Sequence, residues 1–201
     1  MKKIVAAAAL LLVMTLFGGC ATMRPESATL YDLGPLREQS AASALPALSP
    51  IRIADVSVPA WLDSNLMFFR LEYANSQQPR PYAQARWTMT PAQLLLQQIK
   101  SRIAQAGGIV LSASDGASGV PLLRIEADDF TQNFSAPGQS SGRVALRASV
   151  FKGRTLVAQK TFRKEAPAPA PDAAGGASAL AAASNAAIAE LITWLNTLGL
   201  K

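Results

Sequence analysis

The feature that most constrains the fold is the alternation of apolar and polar residues along several extended segments. Leu123, Ile125 and Ala127 alternate with charged residues, and the run from Val144 to Val150 alternates in the same way with arginines. A period of two residues is typical of β-strands with one buried face and one solvated face. The short stretch Lys152-Gly153-Arg154 separates two such runs, so the sequence predicts a β-hairpin there.

Other segments carry the same extended character. Strands are predicted over 51–58, 65–73, 82–87 and 109–111, with a turn over 77–81. The first of them is rich in β-branched residues and stops at Pro59, because proline cannot donate to a strand ladder.

Two segments change to the helical period. Thr90, Pro91 and Gln93 form a capping signature for a helix over about 91–106, and Gly107 ends it. A second helix is predicted over about 178–198 from an apolar stripe through Ile188, Leu191, Leu195 and Leu198. The chain is therefore predicted to be an α+β protein: a mostly antiparallel sheet with both helices packed on one face.

The N-terminus has the layout of a secretory signal peptide. Lys2 and Lys3 precede an apolar run, and Gly18-Gly19 precede Cys20, the only cysteine of the chain. An ordinary cleaved signal with an incidental cysteine is the alternative. A lone cysteine at the cleavage point favours lipidation, and two or more attached acyl chains, palmitate among them, anchor a protein stably. Ala21, in place of the aspartate that retains lipoproteins in the inner membrane, favours an outer-membrane location facing the periplasm.

These features divide the chain into three parts. Residues 1–19 are the predicted signal peptide, and residues 20–48 are the lipidated N-terminus and tether. Residues 49–201 are predicted to be a single periplasmic α+β domain, with a Pro/Ala/Gly-rich loop at 166–177.

Composition excludes several classes of function. The 19 basic and 13 acidic residues give a net charge of +6, which falls to +4 when Lys2 and Lys3 leave with the signal peptide. The remaining basic residues are scattered without aromatic interleaving, which argues against nucleic-acid binding. The chain has no histidine and one cysteine, so histidine-dependent nucleophiles and His or Cys metal sites are excluded. Asp128 and Asp129 are adjacent on a predicted strand and point to opposite faces. We therefore expect no enzyme activity, no cofactor and no metal.

An ordered set of short motifs resembles a known family. After the lipobox-like segment ending at Cys20 come Tyr31-Asp32-Leu33-Gly34-Pro35, Val58-Pro59, Trp61-Leu62-Asp63, Met67, Arg70, Tyr82, Trp87 and Pro91. This run resembles the ABC-type transport auxiliary lipoproteins, the family typified by the paraquat-inducible lipoprotein PqiC. The likeness covers nearly all of the mature chain and is firmest over 51–103. Phe17, at a lipobox position where leucine is usual, and Trp61, where the family often has tyrosine, depart from the pattern.

The resemblance implies a role beside an MCE-type lipid transport system. In such systems an inner-membrane ABC transporter works with MCE-domain proteins, and the lipoprotein is the partner at the outer membrane. The implied partners are an MCE-domain protein and the membrane itself, reached through the lipid anchor. The resemblance also admits further copies of the chain in a homo-oligomer, and a phospholipid.

Five residues are candidates for contact with a partner protein or a lipid: Trp61, Leu62, Phe68, Arg70 and Trp87. The alternative is that this apolar cluster is part of an ordinary packed core. Three functions stay open at this point: a docking lipoprotein with a filled core, a lipid carrier with an apolar cavity, and an assembly factor for another envelope complex. A carrier needs a cavity of about 300 Å³ or more.

Overall fold

The computed structural model describes residues 27–36 and 48–200; the predicted signal peptide and Cys20 lie outside the described residues. Strands and helices are numbered in chain order, and two 3₁₀ turns lie at Ala60–Leu62 and Ala113–Asp115. The strands are β1 (Thr29–Tyr31), β2 (Ile51–Ile53), β3 (Leu66–Leu71), β4 (Ser76–Trp87), β5 (Val110–Ser112), β6 (Leu122–Ala136), β7 (Gln139–Lys152) and β8 (Thr155–Pro167). The helices are α1 (Glu72–Asn75), α2 (Pro91–Gln105) and α3 (Ala173–Thr197).

The long strand β6 organises the sheet. On one edge it pairs with β7, which pairs in turn with β8. The other edge is shared by two short parallel strands, because β6 is long enough to hold them end to end: Ile53 lies opposite Leu123, and Phe69 lies opposite Gln132. Beyond β3 the sheet continues to β4 and β1, and beyond β2 it continues to β5.

The predicted α+β class is confirmed, and the long pairings β6–β7 and β7–β8 are antiparallel. The hairpin predicted at Lys152-Gly153-Arg154 is present, with Lys152 opposite Thr155 and Gly153 at a positive φ of 57°. The short parallel pairings were not predicted. A parallel pair joins segments separated by a long crossover, and alternation within one segment does not reveal its neighbour.

Both main helices contribute to one apolar core against the sheet. The capping box predicted for α2 is present: the Gln93 amide N–H donates to Thr90 Oγ1, and the Gln93 side chain accepts from the Thr90 N–H. Helix α3 lies close to β7, because a Cβ at Gly142 would stand 2.4 Å from the backbone nitrogen of Leu180. The two helices contact each other where Gln98 and Arg102 both donate to Asn185 Oδ1.

The predicted loop at 166–177 is wrong over most of its length. Strand β8 extends to Pro167, and α3 begins at Ala173 instead of 178. Asp172 caps this helix by accepting a hydrogen bond of 2.7 Å from the Gly175 N–H. The cap and the alanines outweigh Gly175 and Gly176, each of which costs about 1 kcal/mol in a helix.

The predicted boundary at residue 49 also changes. Strand β1 belongs to the sheet, with Tyr31 opposite Trp87 on β4, and Leu33 is buried. The domain therefore includes part of the segment predicted to be a tether. The apolar residues Leu30, Tyr31 and Leu33 form too short a segment for its pairing to be predicted from the sequence.

The turn predicted at 77–81 lies inside β4, and the chain reverses earlier, through α1. Pro81 is opposite Phe68, and the next pair is Phe69 with Arg80. Because proline has no N–H, Pro81 occupies a position whose nitrogen points away from β3. Pro79, two residues earlier, has its nitrogen toward the same outer side of β4.

The strand predicted over 51–58 is also shorter than expected. Strand β2 ends at Ile53, and Ser57 forms only an isolated bridge to Glu126.

Helix α3 is long and apolar enough to cross a membrane by length and composition alone. Half of its most apolar stretch of 18 residues is buried inside the protein, where Leu180, Ile188 and Leu191 are inaccessible to solvent. Its apolarity is therefore accounted for by packing on β6, β7 and β8.

Candidate interaction surface

Three of the five predicted contact residues lie together on the face of the sheet opposite the main helices. The 3₁₀ turn after Pro59 places the Trp61 ring against the Phe68 ring, with centroids 5.3 Å apart and planes at 80°. Phe68 and Arg70 are two residues apart on β3 and so share a face. The Arg70 guanidinium carbon lies 5.1 Å from the centroid of the Trp61 ring. We call Trp61, Phe68 and Arg70 the aromatic–arginine cluster.

The cluster is only partly covered. Trp61 and Arg70 are half-buried, and Phe68 is 8% exposed. A cation–π contact at a half-exposed site is worth about 0.5–1 kcal/mol. Arg70 also donates to the Ser76 carbonyl at 3.0 Å, which fixes the guanidinium beside the tryptophan. The result is a partly exposed apolar surface with a positive charge at its border.

Leu62 and Trp87 do not belong to this surface, and their assignment to a contact site is corrected. Each is 1% exposed, and the Trp87 ring packs in the core at 5.2 Å from Phe130. Residue type alone does not show which members of an apolar set face the core. The 3₁₀ turn sends Trp61 outward and Leu62 inward, and strand alternation places Trp87 on the helix-covered face.

A buried polar network lies beside the cluster, and no pattern in the sequence indicates it. Thr131 and Asn133 are almost fully buried, and the Thr131 hydroxyl donates to Asp129 Oδ1 at 2.7 Å. Burial raises the pKa of Asp129, while the hydrogen bond from Thr131 and the charges of Arg143 and Arg70 oppose that rise. In the sequence these alternating polar residues look like a solvated strand face. These residues are hidden from water for two reasons. The register of β6 shifts between Ala127 and Asp129, and helix α1 packs over the strand.

Ion pairs of Arg143 hold helix α1 over strand β6. Arg143 Nη1 donates to Glu72 Oε1 of α1 at 2.6 Å, and Arg143 Nε lies 3.6 Å from Glu165 Oε2 of β8. The hydrogen bond to Glu72 is the main cause of the raised pKa of Arg143. The pair is about one-third exposed, so its role is to position α1 over β6 more than to stabilise the fold.

The two adjacent aspartates do not form an acid–base pair. Asp128 and Glu126 both bind Arg147 Nη2, at 3.1 Å and 2.6 Å, whereas Asp129 turns to Thr131. Among the described residues, no group of three acidic, histidine or cysteine side chains is placed to hold a metal ion.

A second polar chain lies on the helix-covered face. The Tyr82 hydroxyl donates to Gln132 Oε1 at 2.7 Å, and Gln132 Nε2 donates to Ser140 Oγ at 2.8 Å. Burial, with smaller contributions from Asp172 and Tyr31, raises the pKa of Tyr82 to about 12. A Cβ at Gly176 would meet the Gln132 side-chain amide, so α3 crosses close to this chain and a larger residue there would displace Gln132.

Two grooves flank the segment from Asp32 to Pro35. The larger, about 900 Å³, has a floor of small α3 residues such as Ala177 and Ala181, and Asn185 lies at its side. The smaller, about 320 Å³, lies against α2 and includes Gln98, whose Oε1 is buried without a hydrogen-bond partner among the described residues. Both grooves lie at the β1 margin of the sheet. The residues between sheet and helices pack into one continuous core.

Comparison with known structures supports the fold. The chain is similar to the crystal structure of a Xanthomonas campestris protein of family DUF330, with a TM-score of 0.72 and 20% identity over 85% of this chain and 96% of that one. It is also similar to the crystal structure of an uncharacterized protein, with a TM-score of 0.64 and 14% identity over 85% and 99% of the two chains. No curated protein matches the sequence.

The sequence itself matches a family along most of its length. The model of the ABC-type transport auxiliary lipoprotein component matches residues 31–193, which include the aromatic–arginine cluster, helix α2, most of helix α3 and nearly the whole sheet. The resemblance stated from the motifs is thereby confirmed. The chain belongs to the family of ABC-type transport auxiliary lipoprotein components.

Proposed function

We propose that this lipoprotein is the outer-membrane docking component of an MCE-type ABC lipid transport system. Membership of the auxiliary lipoprotein family supports a transporter as partner. The observation that carries the docking role is the aromatic–arginine cluster, a partly exposed tryptophan and arginine supported by a filled core. Tryptophan and arginine are the side chains that most often dominate the energy of protein interfaces.

A lipid carrier is the second candidate, and the groove of about 900 Å³ beside α3 favours it by volume. Its lining argues for the docking role. Asp32, Arg102 and Asn185 line the groove together with small alanines, whereas a site for an acyl chain is predominantly apolar.

The deciding experiment is crosslinking in intact envelopes, followed by purification of the membrane-anchored protein and mass spectrometry of proteins and lipids. The docking role predicts recovery of an MCE-domain protein. Phospholipid without a protein partner would support the carrier, and an unrelated envelope complex would support an assembly factor. The ratio of the copurified subunits also tests whether the lipoprotein is oligomeric.

A pair of variants links the result to the surface. Trp61→Ala removes an interface anchor, and we expect at least a tenfold loss of the MCE-domain protein, since anchors of this type contribute about 2 kcal/mol or more. Tyr73→Ala, at an aromatic side chain that is 49% exposed, is the control and should leave recovery unchanged. Equal recovery of the MCE-domain protein with both variants would show that the cluster is not part of the interface.

Anchoring through Cys20 is tested separately. Mass spectrometry of the mature N-terminus should find residue 20 as the first residue, carrying acyl chains. Density separation of the membranes should place the protein in the outer-membrane fraction. An unmodified N-terminus at another residue would contradict lipidation, and an inner-membrane fraction would contradict the proposed location.

The absence of catalysis stays a prediction. If transport is retained after Asp128 and Asp129 are both changed to Asn, the acid–base chemistry available to this pair is excluded.

A further inference from the structure

Strands β4 and β8 are the two long strands with an open edge, and they differ in whether prolines interrupt that edge. Strand β4 is covered by β1 only at residues 85–87, and its remaining outer edge contains Pro79 and Pro81, whose nitrogens point outward. Prolines and irregular pairing are devices that protect a sheet edge from an added strand. Among the residues that the structure describes, strand β8 pairs with β7 alone, and it has no proline from Thr155 to Ala166.

The register of β8 identifies which backbone groups face the open side. The Ala168 N–H donates to the Ser140 carbonyl, and Pro167, which has no N–H, lies opposite Ser141. Hydrogen-bonded and non-hydrogen-bonded pairs alternate in an antiparallel ladder. Counting back along β8, the N–H and C=O groups of residues 159, 161, 163 and 165 point away from β7. They form a regular row of donors and acceptors about 20 Å long.

The lysines of β8 are held away from this edge. Lysines on an edge strand usually discourage pairing, because an incoming strand would bury their charge. Here Lys160 and Lys164 bind the two carboxylate oxygens of Glu190 on α3, at 3.0 Å and 2.7 Å, and these contacts lower the pKa of Glu190. The two side chains therefore lie over the helix instead of across the open backbone.

The side chains around the edge are apolar at one end and mainly cationic beside it, while Glu165, the acidic residue of β8, pairs with Arg143. Leu156 and Val157 are 50% and 45% exposed, which places them among the most exposed large apolar residues of the described chain. Arg154 and Arg163 are exposed and take part in none of the ion pairs formed between described residues. An incoming strand is matched best if it carries apolar side chains together with carboxylates.

We propose that β8 is a receptor edge that binds an extended, acidic segment of a partner protein by β-strand addition. Backbone hydrogen bonds to residues 159–165 supply the affinity, and contacts with Arg163 and Val157 supply the preference for acidic and apolar side chains. The inference extends the proposed function by naming the kind of segment that a transport partner would present. A second copy of this chain is the competing occupant.

The test uses a synthetic eight-residue peptide of alternating valine and glutamate, with a copy in which lysine replaces glutamate. Binding is measured by titration, and amide hydrogen exchange along β8 is followed by NMR. We expect the glutamate peptide to bind at least tenfold more tightly than the lysine copy. It should slow exchange at residues 159, 161, 163 and 165.

Two variants make the test specific. Thr161→Pro removes one outward N–H without removing a β7–β8 hydrogen bond, so it should weaken binding at least tenfold, whereas Thr161→Val should not. Arg163→Glu should reverse the preference between the two peptides. This second variant tests the proposal even if Thr161→Pro disturbs the strand.

Equal binding of the two peptides, or unchanged binding by Thr161→Pro and Arg163→Glu, would overturn the proposal. Concentration-dependent dimerisation that Thr161→Pro abolishes would assign the edge to a second copy of the chain. The peptide experiment needs no transporter, so its failure is distinct from failure to recover an MCE-domain protein.

Discussion

At the scale of single residues, two positions depend most on their surroundings: the buried carboxyl of Asp129 and Gly142, which lies under helix α3. Asp129 is a carboxyl held in a buried network, and burial raises its pKa above the ordinary 3.8. A carboxyl that holds its proton more tightly when folded favours the folded state at low pH. That contribution is lost as the pH rises through the folded-state pKa.

Changing Asp129 to Asn should therefore raise the melting temperature at pH 7 and reduce the loss of stability between acidic and neutral pH. Asparagine can still accept the hydrogen bond from Thr131. Asp128→Asn, at an exposed carboxylate, is the control and should shift stability by less than about 0.5 kcal/mol. A lower melting temperature for Asp129→Asn at pH 7 would show that the charges of Arg143 and Arg70 outweigh burial.

Gly142 is a second such position, because α3 lies directly against its backbone. We expect Gly142→Ala to lower the free energy of unfolding by about 1–3 kcal/mol, as overpacking does in other cores. Gln139→Ala, at an exposed position of the same strand, should have little effect. Denaturant unfolding checks both, and equal stability of the two variants would contradict the close approach.

At the scale of elements, sequence signals were strongest where they were local. The capping box of α2 and the hairpin between β7 and β8 each depend on residues within one turn, and both are present. The start of α3 was predicted too late, because two glycines and three prolines obscured the Asp172 cap. The pairing of β1, β2 and β3 depends on distant segments and could not be predicted from one sequence.

The α2 cap gives a prediction at this scale. Thr90→Ala leaves the Gln93 N–H without its side-chain acceptor and should destabilise the protein by about 1 kcal/mol. Thr88→Ala, two residues earlier and outside the capping box, is the control. Thermal unfolding of the two variants measures the difference, and identical melting temperatures would show that the cap contributes nothing.

At the scale of the whole molecule, the family and the class of fold could be predicted from the sequence, but only part of the candidate surface could. Trp61, Phe68 and Arg70 come together, whereas Leu62 and Trp87 are in the core. Whether a residue of an apolar cluster faces inward depends on the 3₁₀ turn and on strand direction. Neither is determined by the residue type alone.

The prolines of β4 have a consequence for how the whole sheet can associate. Growth of a sheet from molecule to molecule requires each copy to offer a receiving edge and a complementary donating edge, as in a fibre. Here the long β4 edge lacks donors at positions 79 and 81, while β8 remains open. With respect to strand addition through these two long edges, the molecule has a valence of one. It can bind a single strand, or pair once with its own copy through β8, and assembly then terminates. A protein of this family can thus keep one open edge without polymerising through it.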